Sequence, residues 1–280
     1  MKKILLPTDF SDNSWNAIKY ALELFKDEEC QFHLLNTYTP LIFQLEYTTA
    51  GGVNYELVDT MKNSSEKGLK KLMNKIKKNF NNPNHIFSQI SSFNTLLLEI
   101  DELLKGNVID YIIMGTKGAT GAKEILFGTN TVHVFKNAKC PVLAIPSEFV
   151  FEKPYEILFP SDYELNFQDN HLEPIKNIAS LYNSRINILN VSYGYDLTEK
   201  QEQNKLKLER YFKKMAYLFH SYSNQEVPEA IANFQLKTRV NLLVMINNKH
   251  SFFKNLFFKS TINQIGFHLN IPLLVIPSIK

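Results

Sequence analysis

The chain has little of several things that fix a fold or a function cheaply. It carries only two cysteines, Cys30 and Cys140, in 280 residues. That excludes a disulfide-stapled scaffold, and with no C-x-x-C pair and no histidine at ligand spacing it excludes a zinc module as well. Both cysteines read as small buried hydrophobes. Long apolar runs are absent: no window approaches the roughly 18 consecutive apolar residues of a membrane span. The amino-terminal run of Ile4, Leu5 and Leu6 stops at Pro7, too short for an export signal. The expectation is a cytoplasmic chain with no membrane partner. Charge of one sign is lacking too, since 31 Lys and Arg against 28 Asp and Glu leave +3. The cations are scattered rather than striped, so no nucleic-acid partner is expected. The lysines from Lys62 to Lys78 read as one solvated helix face.

What is present is a composition of 44% hydrophobic and 21% charged residues, which describes a folded chain with substantial cores. It also repeats itself. ILLPTDF from Ile4 to Phe10 returns as ILFPSDY from Ile157 to Tyr163, and FHLLNTY from Phe32 returns as INILNVSY from Ile186, with Asn36 matching Asn190. CPVLAIPS from Cys140 returns as IPLLVIPS from Ile271, and IIMG at 112–115 as LVMI at 243–246. The second copy is the shorter, and the excess in the first falls around Thr39 to Thr60, a stretch read as a loop over one edge. Two domains are expected, residues 1–148 and 153–280, joined near Glu148 to Pro154.

Short apolar runs alternate with helical periodicity in each copy. The first copy reads as strands at Ile4–Pro7, Phe32–Thr37, His85–Ile90, Tyr111–Gly115 and Pro141–Ile145. Helices are expected after Ser11, over Val58–Asn79, over Thr95–Leu104 and from about Gly128. Strands alternating with helices imply right-handed crossovers and a parallel sheet covered on both faces.

In such a sheet, ligands sit beyond the carboxyl ends of the strands where the strand order reverses. Pro7-Thr8-Asp9 follows the first strand, and GTKGATGAKEILFGTNT from Gly115 follows the fourth. Closely spaced glycines allow backbone N–H groups to approach an anion, and Gly128-Thr129-Asn130 opens a helix whose amino end favours phosphate. Asp9 is a carboxylate suited to ribose hydroxyls. Lys117 and Lys123 add charge nearby. Neither G-x-x-x-x-G-K-[ST] nor G-x-G-x-x-G occurs, which removes the main support for a P-loop or a dinucleotide fold. The seven histidines pair at no metal-ligand spacing, and no G-x-S-x-G or H-E-x-x-H is present. No catalytic set and no metal site is expected, and at most slow hydrolysis.

The spacing of Gly115, Gly118, Gly128 and Thr129 resembles the G-x2-G-x9-G-[ST] pattern of the universal stress protein family. DYIIMG, CPVLAIP and ILLPTDFS are similar to that family's strands. The resemblance implies an α/β fold of two tandem flavodoxin-like, adenine nucleotide alpha hydrolase-like domains. Each would be a five-stranded parallel sheet of order 3-2-1-4-5 with helices on both faces. It implies an adenine nucleotide partner, with ATP as cofactor in the first domain and Mg2+ accompanying it. Asp9 would meet the ribose, and Pro7 and Thr8 would shape its pocket. Thr37, where the family has an apolar residue, would border adenine. Met114 and Gly115 would lie under the nucleotide, while Gly118, Gly128, Thr129 and Asn130 would cradle phosphates.

The second copy loses this pattern. Ile246 falls at the Gly115 position, Lys249 at Gly118 and Lys259 at Gly128, with Ser260 left for Thr129. Side chains at those points obstruct close backbone approach, and Asp162 is expected only to cap the helix that follows. The segment from Asn247 to Thr261, rich in phenylalanine and lysine, reads as a loop with buried aromatics. It is similar to that of second domains of tandem members from the Bacteroidetes lineage. The leading expectation is a nucleotide-responsive stress regulator with one active site, and the competing one a nucleotide-independent scaffold with a remnant glycine loop. The final strands, Val142 to Ile145 and Leu273 to Ile276, are expected to pair antiparallel in an intramolecular pseudo-dimer, leaving any homodimer to other surfaces.

Overall fold

The computed structural model describes residues 1–39, 55–106, 109–116, 128–192, 194–248 and 270–278. Its first half contains β1 (Lys2–Pro7), α1 (Asp12–Leu24), β2 (Cys30–Thr37), α2 (Tyr55–Asn79), β3 (His85–Ser92), α3 (Leu96–Gly106), β4 (Tyr111–Gly115), α4 (Thr129–Asn137) and β5 (Val142–Ile145). The second half contains β6 (Glu156–Pro160), α5 (Asp169–Tyr182), β7 (Arg185–Ser192), α6 (Glu199–Phe212), β8 (Ala216–Ser223), α7 (Val227–Lys237), β9 (Leu242–Asn247) and β10 (Leu273–Pro277). The strands form one sheet of order β3-β2-β1-β4-β5-β10-β9-β6-β7-β8. Within each half the pairing is parallel and the order 3-2-1-4-5 is repeated.

Alternation along each strand divides the core into two layers. Ile4 and Leu6 join one apolar layer with α1, α2, α5 and α6, while Leu5 joins the other with α3, α4 and α7. A strand buried on both faces must be apolar throughout, which is why these segments are short unbroken runs. The helices are amphipathic. Leu69, Leu72, Met73 and Ile76 of α2 are buried, and its seven lysines are exposed, with Lys75 over the Trp15 ring at 4.1 Å. Ser11 caps α1, its side chain accepting from the Ser14 N–H. The stretch read as a loop from Thr39 to Thr60 is corrected at its end, since α2 is helical from Tyr55. An acidic first turn at Glu56 starts the helix earlier than its apolar periodicity suggests.

The halves meet at β5 and β10, which pair antiparallel with Leu274 opposite Leu143 and Val275 opposite Val142. Leu143, Ala144, Leu273 and Leu274 are all fully buried. Side-chain bonds tie the seam on both faces. On one face the Tyr182 hydroxyl donates to the Leu24 carbonyl at 2.7 Å, while Asn16 Nδ2 fixes the start of the connection between the halves by donating to the Pro146 and Phe149 carbonyls at 3.1 and 3.0 Å. On the other face, Asn247 Nδ2 donates to the Phe135 carbonyl in the last turn of α4 at 2.8 Å.

Candidate functional site

A cleft of about 390 Å³ opens at the carboxyl ends of β1, β2 and β4. It lies where the chain runs from β1 to β2 on one side and returns through β4 on the other, the switch point of the first half. Its floor begins at Thr8, whose N–H donates to the Leu35 carbonyl at 2.8 Å and whose hydroxyl meets Ser14 Oγ at 2.9 Å. Phe10 then reverses the chain with a φ of 65°. Its ring lies on α2 at Gly68, where a Cβ would come within 2.5 Å of it, so this position tolerates only glycine without movement.

The reversal turns Asp9 outward at the lip. Its Oδ1 accepts from the Ser11 N–H at 3.0 Å and from the Ser11 hydroxyl at 2.6 Å, which fixes the carboxylate. Asn36 supports the same turn from β2, donating from Nδ2 to the Thr8 carbonyl at 2.7 Å.

The opposite wall is β4 and α4. A Cβ on Gly115 would stand 2.3 Å from Asn13 Nδ2, so the missing side chain lets the start of α1 close over the end of β4. The Gly115 carbonyl accepts from Thr131 Oγ1 at 3.0 Å, and the Gly128 N–H donates to the Thr116 carbonyl at 2.5 Å. These bonds aim the amino end of α4 into the cleft. Gly128 at the cap position offers no side chain to the first N–H groups of the helix. Those unpaired N–H groups and the positive dipole end make an anion-receptive corner. Leu35, Leu96 and Met114 supply apolar wall between that corner and β2.

Pro7, Thr8, Asp9, Thr37, Met114, Gly115, Gly128, Thr129 and Asn130 therefore border one cleft. Gly118, Lys117 and Lys123 lie outside the described residues. Sequence reasoning missed Asn13, Ser14, Leu35, Asn36, Leu96 and Thr131 as cleft residues. Asn36 left a signal, its recurrence as Asn190 in the repeat, whereas Asn13 left none, since it falls in the start of the helix expected after Ser11.

The second half keeps the scaffold of this turn. Ser161 N–H donates to the Leu189 carbonyl, Asn190 Nδ2 donates to the Ser161 carbonyl at 2.9 Å, and Tyr163 has a φ of 57°. The sheet register equates Leu5–Ile112 with Leu158–Leu243, which puts Met245 opposite Met114 and Ile246 opposite Gly115. Ile246 is buried among the residues packed on α5. Asp162 does not cap the helix that follows. Gln168 occupies the cap of α5, and Asp162 Oδ1 instead accepts from the Glu164 N–H within a turn, because a longer connection separates this aspartate from its helix. Burial pushes its carboxyl above the usual carboxylate range. The glycine-loop equivalents Lys249, Lys259 and Ser260, and nearly all of the Asn247 to Thr261 segment, lie outside the described residues.

Cys30 and Cys140 are free and buried, and burial pushes both thiols up to about 12. Among the described residues no cluster of three or more His, Cys, Asp or Glu could hold a metal ion. No helix of the described residues is long and apolar enough to cross a membrane.

The sheet order and this crevice define an α/β protein of the doubly wound class with a ligand cleft at its first switch point. The universal stress protein family model matches residues 1–146 of the 280, and the chain belongs to the universal stress protein family. It is 32% identical over 151 residues to one universal stress protein of Methanocaldococcus jannaschii, covering 51% of this chain and 81% of that one. A second from the same organism is 33% identical over 153 residues, covering 51% and 94%. The crystal structure of a universal stress protein from Archaeoglobus fulgidus aligns over 98% of this chain and 96% of its own, with a TM-score of 0.70 at 20% identity, a likeness of fold.

Proposed function

We propose that the chain binds ATP in the cleft of its first half and acts as a nucleotide-responsive stress regulator. The observation that carries this reading is the uncapped amino end of α4 facing a fixed exposed carboxylate, Asp9, across a crevice at the switch point. A nucleotide uses both ends of that arrangement. Phosphates take the unpaired N–H groups around Thr129 and Asn130, with Gly118 and Gly128 permitting close approach. Ribose hydroxyls donate to Asp9, and adenine lies against Leu35, Leu96 and Met114 with Thr37 at its edge. Mg2+ would arrive with the triphosphate and be held by phosphate oxygens. The family membership and the glycine spacing support the same assignment.

The reading extends to organisation. Residues 1–148 form the binding domain and residues 153–280 a degenerate copy, the two held as an intramolecular pseudo-dimer through Val142 to Ile145 and Leu273 to Ile276. Ile246 puts a side chain where Gly115 lets the start of α1 close over the end of β4, so one site per chain remains. At most slow hydrolysis of the bound ATP is expected.

Mass spectrometry of small molecules released from freshly purified protein tests the assignment. ATP or ADP is expected. A released flavin, or stripped protein that takes up no ATP, contradicts it and leaves a nucleotide-independent scaffold as the better reading. Gly115→Ile, which copies the second half, should abolish uptake while the protein stays folded by circular dichroism.

A further inference from the structure

The second half has a cleft of its own, of about 520 Å³, one strand outward from its switch point. It lies between α6 and the carboxyl ends of β7 and β8. Two of the residues lining it are nearly buried and still turn hydrogen-bonding groups toward the cavity. Tyr163 is only 2% exposed, and its hydroxyl makes no hydrogen bond among the described residues. Asn190 is 5% exposed; its Nδ2 is committed to the Ser161 carbonyl, and its Oδ1 has no donor among the described residues. A donor and an acceptor that face a cavity can exchange water for the hydroxyls of a ligand that enters from solvent.

The walls restrict what that partner is. Tyr163 and Phe219 stand edge to face with centroids 6.3 Å apart, and Lys205 Nζ lies 5.7 Å from the Phe219 centroid. This gives an apolar ring surface beside hydrogen-bonding groups. A phosphate is disfavoured here, in contrast to the first cleft. The amino end of α6 is closed by its own capping box, in which the Thr198 side chain accepts from the Gln201 N–H and Gln201 Oε1 accepts from the Thr198 N–H. Glu202 in that first turn and Asp196 before it bring two carboxylates against the single ammonium of Lys205. An anion would meet net negative charge and no free helix end.

We propose that this cleft binds a small uncharged ring compound bearing several hydroxyls, stacked on Phe219 and bonded to the Tyr163 hydroxyl, Asn190 Oδ1, Glu202 and Lys205. Carboxylate, amide and ammonium groups beside an aromatic face suit a molecule with hydroxyls at its edge and C–H groups on its face. Two sources share that chemistry, a free monosaccharide and a nucleoside. The site is independent of the ATP reading, because no residue belongs to both clefts.

Amide-resolved NMR of the full-length protein, titrated separately with D-glucose, D-ribose, adenosine and inorganic phosphate, tests it. Saturable shifts at the Ser192, Leu197 and Ser221 amides are expected with a sugar or with adenosine, and which of them acts identifies the source. Tyr163→Phe keeps the ring and removes one hydrogen bond, so it should weaken that binding by about fivefold. Glu202→Gln, on the exposed side of α6, should weaken it as well and leaves folding unaffected. The proposal fails if none of the three organic probes gives saturable shifts at these amides. It fails equally if phosphate produces them instead, or if both variants bind as the parent does.

Discussion

At the scale of single residues, the same turn is built twice and differs in what stands beside it. Asn36 and Asn190 each donate an amide N–H to the carbonyl that precedes the aspartate, at 2.7 and 2.9 Å. Asn36→Leu leaves the Thr8 carbonyl without that donor in a buried place, which should cost about 1 to 3 kcal/mol in urea unfolding. It should also weaken nucleotide binding, because the turn that holds Asp9 is loosened. Histidine gives the molecule a pH response. His171 Nδ1 accepts from the Gln168 N–H at the start of α5, so it must be unprotonated there, and burial lowers its affinity for protons. The unfolded chain protonates this side chain near about pH 6.5 while the folded chain resists. Stability is therefore full above that pH and lost as the pH falls below it. Urea midpoints should drop between pH 7 and pH 5.5, and His171→Gln should remove part of that drop. Gly115, Gly128 and Asp9 could be picked out as site residues in the sequence because they sit at unusual spacing after apolar strands. Asn13 could not, since its place against Gly115 depends on how α1 crosses β4.

At the scale of elements, the strands were the most legible part, because burial on both faces forces an unbroken apolar run such as Tyr111 to Met114. Helix ends were less so. Ser11 was readable as a cap because its side chain does the work locally, whereas the role of Asp162 depended on the length of the connection to α5. Helix α4 is the element on which the site turns, and both its ends are held from outside it. Thr131 Oγ1 anchors its first turn to the Gly115 carbonyl, and Asn247 of the other half holds its last turn. Thr131→Val removes the first bond with little change of shape. It should raise the dissociation constant for ATP severalfold in a calorimetric titration, with a loss of about 1 kcal/mol in stability.

For the whole molecule, the antiparallel junction of β5 with β10 makes two parallel sheets into one and leaves neither final strand as an open edge. Leu274 is fully buried at this junction, so Leu274→Asp should destabilise the chain by several kcal/mol, the cost of an unpaired charge in an apolar seam. Cleavage after the exposed Lys153 should leave the halves associated in size-exclusion chromatography at micromolar concentration, held by the seam and by Tyr182 and Asn247. The duplication was legible because ILLPTDF and ILFPSDY are nearly the same words. The sidewise displacement of the second cleft was not, because it depends on where Tyr163 and Phe219 meet in space. The proposed cleft gives one nucleotide site per chain, in the first half. Isothermal titration of ligand-free protein with ATP in the presence of Mg2+ tests it most directly: a stoichiometry close to one per chain, reduced to none by Gly115→Ile, is the result predicted. Two sites per chain, or one that survives Gly115→Ile, would contradict it.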